Sequence, residues 1–242
     1  MKKKIIRSFI FLSLVLILIA GVWVNQTYEP TQNAMNYTLD TEKVAVIEER
    51  FGLTFIPVHK KNSTGIIFYP GAKVEPEAYS PLAHKLAENG YLTTIIEMPF
   101  NLAVIDIDRG KEVMTQYEKI SQWYIGGHSL GGAMAGSFAN DNKDLLEGVF
   151  FLGAYPVDNF TDGSLDVLLI NGSLDTIIDR SRLEEGKNLI PKNSKNIIIK
   201  GGNHSQFGSY GLQRNDQPAE ISNEKQQEQT IELIIELIKN EY

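Results

Sequence analysis

Residues 126–132 read GGHSLGG, and this stretch decides which fold class the sequence predicts. It contains the pattern G-x-S-x-G, directly after a short apolar strand predicted at 123–125 and at the start of a small-residue helix predicted at 130–140. Glycines on both sides of a serine let the chain turn sharply from strand to helix, which exposes the hydroxyl at the helix N-terminus. Ser129 is therefore the candidate nucleophile. The alternative is a tight turn whose serine is unreactive.

Short apolar strands alternate with amphipathic helices on both sides of this turn. Strands are predicted at 66–69, 92–96, 123–125, 148–152, 167–170 and 196–199. Such alternation is typical of an α/β domain, in which helices cover both faces of a mostly parallel sheet. Two β-like runs at 44–47 and 53–58 predict an antiparallel N-terminal hairpin. The connection from 152 to 167 is too short for a helical cap, so we expect an open site.

A serine hydroxyl needs an adjacent base to become a nucleophile at neutral pH, and the chain has four histidines. His59 and His84 precede the turn in sequence, whereas in hydrolases built on such a sheet the base comes last. His128 is next to Ser129 and is expected to point away from it. His204 follows the last predicted strand in a glycine-rich loop, and it is the candidate base.

Asp175 is the candidate acid, because it ends the segment NGSLD at 171–175, just after the strand at 167–170. An acid in this place lies between serine and histidine in chain order and at the carboxyl edge of the sheet. Asp179 is the alternative, but its position before the next helix suits an N-cap. Asp166 precedes the strand and so belongs to the opposite edge.

Backbone N–H groups near the serine are candidates for an oxyanion hole, which stabilises the negative charge of a tetrahedral intermediate. Leu130 follows the nucleophile and supplies one candidate. The loop after the strand at 66–69 supplies the other, with Ala72 preferred and Gly71 second. Met98 and Phe100, in the loop after the strand at 92–96, are candidates for an apolar substrate-binding wall, although ordinary core and loop packing explains them equally well.

These segments together resemble the compact bacterial branch of the α/β-hydrolase superfamily, near the dienelactone hydrolases and small carboxylesterases. The resemblance covers about residues 43–240 and rests on FYPGA at 68–72, GGHSLGG at 126–132, NGSLD at 171–175 and GNHSQFG at 202–208. It implies ester or acyl-transfer chemistry, without a cofactor, on a triad of Ser129, Asp175 and His204. Dienelactone hydrolases use cysteine as nucleophile, so their particular substrate is not implied for this chain.

Charge and cysteine content exclude several classes of function. Without the four cations of the first seven residues, the chain has 19 cations against 30 acids, a formal charge of −11. A surface this acidic repels phosphate backbones, so nucleic acid is not an expected partner. The chain has no cysteine, which excludes disulfides, thiolate chemistry and cysteine-ligated metal; no metal site is predicted.

The N-terminus has the pattern of a membrane-targeting segment. Its cations precede residues 9–24, which are apolar except for one serine and one glycine. With Ser8 the run has 17 residues, at the short end of the roughly 17–25 that span a bilayer. We expect an uncleaved anchor in the cell membrane with the catalytic domain outside the cytoplasm. Secretion after cleavage is the alternative, although the small residues that a cleavage site needs are poorly placed.

The sequence thus predicts three regions: an anchor or signal at 1–27, a polar spacer at 28–42 and a hydrolase domain at 43–242. The expected function is a membrane-tethered hydrolase of a small-molecule or lipid acyl ester. Two alternatives are an acyltransferase that uses the same triad on a wall or lipid acceptor, and an inactive binding protein on the hydrolase fold.

Overall fold

The computed structural model describes residues 26–240. The anchor or signal predicted around residues 9–24 lies outside the described residues. Within 26–240, none of the helices is both long and apolar enough to pass through a membrane.

A single eight-stranded sheet forms the centre of the molecule. Its strands are β1 (Val44–Glu49), β2 (Gly52–Pro57), β3 (Thr64–Tyr69), β4 (Leu92–Ile96), β5 (Gln122–His128), β6 (Gly148–Leu152), β7 (Asp166–Gly172) and β8 (Lys195–Ile199). Their spatial order is β1-β2-β4-β3-β5-β6-β7-β8. The hairpin β1–β2 is antiparallel and also pairs antiparallel with β4, and every other pairing is parallel. The predicted mostly parallel sheet with an antiparallel N-terminal hairpin is confirmed.

Helices cover both faces of this sheet. They are α1 (Gln32–Asn36), α2 (Ser80–Glu88), α3 (Gly110–Gln116), α4 (Leu130–Asp141), α5 (Arg180–Gly186) and α6 (Asn223–Lys239). Strand β3 shows how the two layers form: Ile66 and Phe68 enter the core beneath α2 and α6, whereas Ile67 and Tyr69 enter the core beneath α3, α4 and α5. Because successive side chains of a strand point to opposite faces, one apolar run serves both cores.

The segment at 28–42 is largely exposed, as expected of a spacer, but it contacts the domain at several points. The Tyr28 N–H donates to the Lys73 carbonyl at 2.6 Å, and the Thr31 N–H donates to the Ser209 carbonyl at 2.8 Å. Helix α1 follows, capped by the Thr31 side chain, with Ala34 fully buried. A five-residue helix with one buried side chain is too short to show a helical period in the sequence.

The carboxyl ends of the parallel strands meet at one edge of the sheet, and the loops that follow β3, β5, β7 and β8 gather there. The connection between β6 and β7 contains no helix, so no separate cap lies over this edge within residues 26–240. Open α/β sheets bind their ligands at this edge.

Candidate active site

Ser129 lies on a sharp turn between β5 and α4. Its backbone has φ 53° and ψ −124°, a conformation that is unfavourable for a residue with a side chain and that occurs where function demands it. A Cβ atom added to Gly127 would lie 2.5 Å from the Tyr69 carbonyl oxygen, and one added to Gly131 would lie 2.1 Å from the Pro70 carbonyl oxygen. Both glycines are therefore required for the close approach of β3 to this turn.

His204 and Asp175 form a buried pair beside the turn. His204 Nδ1 lies 2.7 Å from Asp175 Oδ2, and both residues are only 1% exposed. The other carboxylate oxygen, Oδ1, accepts the N–H groups of Ile177 and Ile178 at 2.9 Å each. The carboxylate is therefore fixed in orientation by its own loop. It holds the imidazole by one nitrogen, while Nε2 has no hydrogen-bond partner among residues 26–240.

Two contacts place this pair close to Ser129. The ring of His128, the residue before the serine, is centred 4.5 Å from the ring of His204. The Ser129 N–H donates to the Leu152 carbonyl at 3.0 Å, and Gly153, the next residue after Leu152, lies beside the pair. The serine turn, the histidine and the acid thus lie at the same edge of the sheet, but no hydrogen bond joins the Ser129 hydroxyl to His204 Nε2 among residues 26–240.

Gly153 makes room for the His204–Asp175 contact. Its φ is +52°, and an added Cβ would lie 2.9 Å from His204 Nδ1 and 3.3 Å from Asp175 Oδ2. Only glycine combines this backbone conformation with the absence of a side chain at that point. No local pattern in the sequence marks Gly153, because both of its partners lie far from it along the chain.

The other candidate acids have different roles. Asp179 caps α5, where its side chain accepts the N–H groups of Ser181 and Arg182 at 3.0 and 3.2 Å. Asp166 is the first residue of β7 and lies at the opposite end of that strand from Asp175. The structure brings Asp175 alone of the three to His204.

Asp216 joins the loops that carry the acid and the base. Its Oδ2 accepts both the N–H and the hydroxyl of Ser205, at 2.8 and 2.5 Å. Its Oδ1 lies 3.4 Å from the N–H of Thr176. Since Ser205 follows His204 and Thr176 follows Asp175, this buried carboxylate holds both loops in register. Asp216 was not among the residues predicted from the sequence, because it lies in a polar loop without a motif.

His128 takes part in a second buried network. Its Nδ1 lies 2.8 Å from the Tyr79 hydroxyl, which accepts the Gly71 N–H at 3.0 Å. Burial, with a further electrostatic contribution from His204, holds the pKa of His128 well below the usual 6.5, so this imidazole is neutral. The expectation that His128 points away was incomplete: it is turned toward Tyr79, yet its ring packs against His204.

The candidate oxyanion donors differ in whether their N–H groups already have a hydrogen-bond acceptor. Leu130 is the first residue of α4, where a backbone N–H has no partner within the helix. The Gly71 N–H is bonded to Tyr79, whereas the Ala72 N–H has no hydrogen-bond acceptor among the described residues. Leu130 and Ala72 are therefore the pair available to an oxyanion.

The two candidate wall residues lie in different surroundings. Met98 is 3% exposed and belongs to the core on the α4 face of the sheet. Phe100 is 63% exposed at the edge where the site lies. Across residues 26–240, no three histidine, aspartate or glutamate side chains are grouped so as to hold a metal ion.

A buried His–Asp pair beside a strained serine turn, on a sheet of this strand order, defines the α/β-hydrolase class of fold. A sequence model described as "Alpha/beta hydrolase family" matches residues 65–228. The chain belongs to the alpha/beta hydrolase family, and the resemblance found in its sequence is confirmed. Comparison with curated proteins gives no match.

Solved structures of hydrolases share the fold. Carboxylesterase CesB from Bacillus subtilis has a TM-score of 0.57 at 11% identity, over 90% of this chain and 98% of that one. Naproxen esterase (carboxylesterase NP) from Bacillus subtilis has a TM-score of 0.52 at 15% identity, over 72% and 88%. A predicted CIB-like hydrolase from Thermoplasma acidophilum has a TM-score of 0.57 at 17% identity, over 79% and 98%. At such identities the likeness concerns the fold and not the substrate.

Proposed function

We propose that this protein is a serine hydrolase that cleaves a carboxylic ester, or a related acyl bond, through an acyl-enzyme intermediate. The observation that carries the proposal is the buried pair of His204 and Asp175 at 2.7 Å, beside the strained turn of Ser129. Membership of the alpha/beta hydrolase family and the esterases among the fold neighbours agree with this chemistry.

The acyl-enzyme forms when the Ser129 hydroxyl attacks the ester carbonyl. His204 Nε2 accepts the hydroxyl proton as the Oγ–carbon bond forms. Asp175 holds the other imidazole nitrogen, so that Nδ1 keeps its proton and Nε2 is the basic atom. The carboxylate also stabilises the imidazolium that results, and its own bonds to Ile177 and Ile178 keep it oriented for this role.

The carbonyl oxygen becomes an oxyanion in this step. The N–H groups of Leu130 and Ala72 are the donors proposed to meet it, and the positive end of the α4 dipole adds to their effect. Each such donor lowers the barrier by about 3 kcal/mol. The oxyanion then collapses, the carbon–oxygen bond to the alcohol breaks, and the alcohol leaves with the proton from His204.

Water completes the cycle by the same route. His204 takes a proton from the water, whose oxygen attacks the acyl carbon bound to Ser129. The second tetrahedral intermediate releases the carboxylic acid and returns the proton to the serine. An alcohol in place of water would give acyl transfer, so an added acceptor distinguishes the two reactions by their products.

The proposal includes location: the catalytic domain is exported and tethered to the cell membrane. Support comes from the sequence, in which clustered cations precede the apolar run at 9–24. A protease-protection assay on intact cells tests the orientation. Added protease should digest an external domain, whereas the N-terminal segment with its cations, on the cytoplasmic side, should stay intact.

Hydrolysis of p-nitrophenyl esters, from acetate to palmitate, by the detergent-solubilised full chain tests the reaction. Turnover should fall by at least about a thousandfold in Ser129→Ala and in His204→Ala. A fluorophosphonate probe should label the wild type and spare Ser129→Ala. A folded protein that hydrolyses no ester and takes no label would be an inactive member of the fold, and activity retained in either variant would overturn the triad.

A further inference from the structure

Several exposed apolar side chains stand on loops at the carboxyl edge of the sheet, where the active site lies. Phe100 is 63% exposed, Val104 54%, Ile105 51% and Leu212 54%. The first three follow β4 and Leu212 follows β8 in the loop beyond His204. We name these four residues the apolar rim. Large apolar side chains that are exposed at one edge of a domain mark a site of contact with an apolar partner.

The structure presents Phe100 outward on a constrained turn. Phe100 and Asn101 both have left-handed backbones, with φ of 56° and 54°, which side chains other than glycine rarely adopt. The turn is tied to the site, because the Asn101 carbonyl accepts the Lys73 N–H at 2.7 Å, two residues from Gly71. Exposure of an aromatic ring at such a turn is consistent with a role outside the core.

The chain enters the domain beside this rim. The Tyr28 N–H donates to the Lys73 carbonyl at 2.6 Å, so Tyr28, Lys73 and Asn101 form one row of backbone contacts. On its other side, the Tyr28 ring lies 5.4 Å from that of Tyr210, two residues before Leu212. The Tyr28 hydroxyl also accepts the Arg214 N–H at 3.4 Å. The described N-terminus therefore lies between the two loops that carry the rim.

The apolar run at 9–24 ends only four residues before Tyr28. A fully extended chain of that length spans about 14 Å. A domain of this size is roughly 40 Å across. If the run crosses the membrane, so short a connection requires the face that carries Tyr28, with the neighbouring rim and active site, to lie toward the bilayer.

We propose that the apolar rim rests on the outer surface of the membrane in which the chain is anchored, and that the substrate is an acyl ester held in that bilayer. This inference rests on the proposed ester hydrolase function and on the proposed anchor. The acyl chain enters the site from the lipid, on the side where the rim lies.

The chain has no cysteine, so single cysteines carry an NBD fluorophore at chosen sites. The full chain is reconstituted into phosphatidylcholine vesicles as Leu212→Cys on the rim or as Leu145→Cys. Leu145 is a matched control, since it is 52% exposed and precedes β6 at the opposite edge of the sheet. In vesicles, the emission maximum of the label at 212 should lie at shorter wavelength than that of the label at 145, because the lipid surroundings are less polar than water. Equal emission, or a shift that grows with protein density at constant lipid and so indicates a second copy, overturns the proposal.

Activity on two substrates separates this inference from the proposed function. The triple variant Val104→Ser, Ile105→Ser, Leu212→Ser is compared with Leu145→Ser, on p-nitrophenyl acetate in water and on p-nitrophenyl palmitate dissolved in the vesicles. The triple variant should lose at least about tenfold on the embedded ester and stay within about twofold on the soluble ester. Equal rates for the two variants on the embedded ester overturn membrane docking and leave the proposed hydrolase function intact. If the wild type turns over neither ester, the proposed hydrolase function is overturned. The fluorescence of the labelled cysteines still tests whether the rim contacts the membrane.

Discussion

Replacing Gly153 with alanine should reduce catalysis although every residue of the proposed triad is kept. The new methyl carbon would lie 2.9 Å from His204 Nδ1 and 3.3 Å from Asp175 Oδ2. Ordinary contacts of this kind are about 3.5 Å or longer, so the imidazole must move by roughly half an ångström to one ångström. Misplacement by about 1 Å costs up to about a hundredfold in rate. We expect kcat for p-nitrophenyl acetate to fall by roughly a hundredfold, with KM nearly unchanged.

Gly163→Ala provides the matched control for this variant. Gly163 also has a left-handed backbone, with φ +70°, but an added Cβ would meet nothing within 4 Å. Both variants carry the left-handed strain of about 1–2 kcal/mol, so both should lower the melting temperature by roughly 2–8 °C. Only Gly153→Ala should lose activity and fluorophosphonate labelling. Equal kcat in the two variants would refute the role of Gly153 as space for the His204–Asp175 contact.

Three further predictions concern residues around the site. Asp175→Asn should lower kcat by about 10⁴-fold in the full chain, whereas Asp179→Asn, at a helix cap, should change only the melting temperature; the reverse result would exchange the two roles. Asp216→Asn should lower kcat by roughly tenfold and slow fluorophosphonate labelling, because the two loops that it joins lose register; unchanged kinetics would make its bonds purely structural. Burial of neutral His128 lowers its folded-state pKa below 6.5, so the unfolded chain binds the extra proton first and stability falls as the pH drops through 6.5. Between pH 7.5 and 5.5, the free energy of unfolding measured in urea should therefore fall by roughly 1 kcal/mol more in the wild type than in His128→Gln. An equal fall in both proteins would contradict the lowered pKa of His128.

The architecture was accessible from the sequence because its signals are local. A buried parallel strand is an apolar run, and the bounds of β4 and β6 agree with the runs predicted at 92–96 and 148–152. The turn at Ser129 was likewise visible, since the glycines that it needs are its immediate neighbours. Helix α1 was missed, because five residues with a single buried alanine show no period.

The candidate site was only partly accessible. Chain order and elimination among four histidines indicated His204, and position after β7 favoured Asp175 over Asp179. The contact that distinguishes the two acids joins residues 29 positions apart, so no local pattern could establish it. The same holds for Asp216, which bonds to both loops, and for Gly153, which makes room for the pair.

The sequence by itself determined the strand and helix types, the strained serine turn and the order in which nucleophile, acid and base follow one another, because each depends on backbone preferences and on apolar runs of a few residues. Only the tertiary structure decided which carboxylate meets His204, that the Gly71 N–H is committed to Tyr79, and that the chain enters beside the apolar rim. The physical reason is the same in each case: these features are contacts between segments far apart along the chain, and they exist only once the sheet has brought its carboxyl edge together.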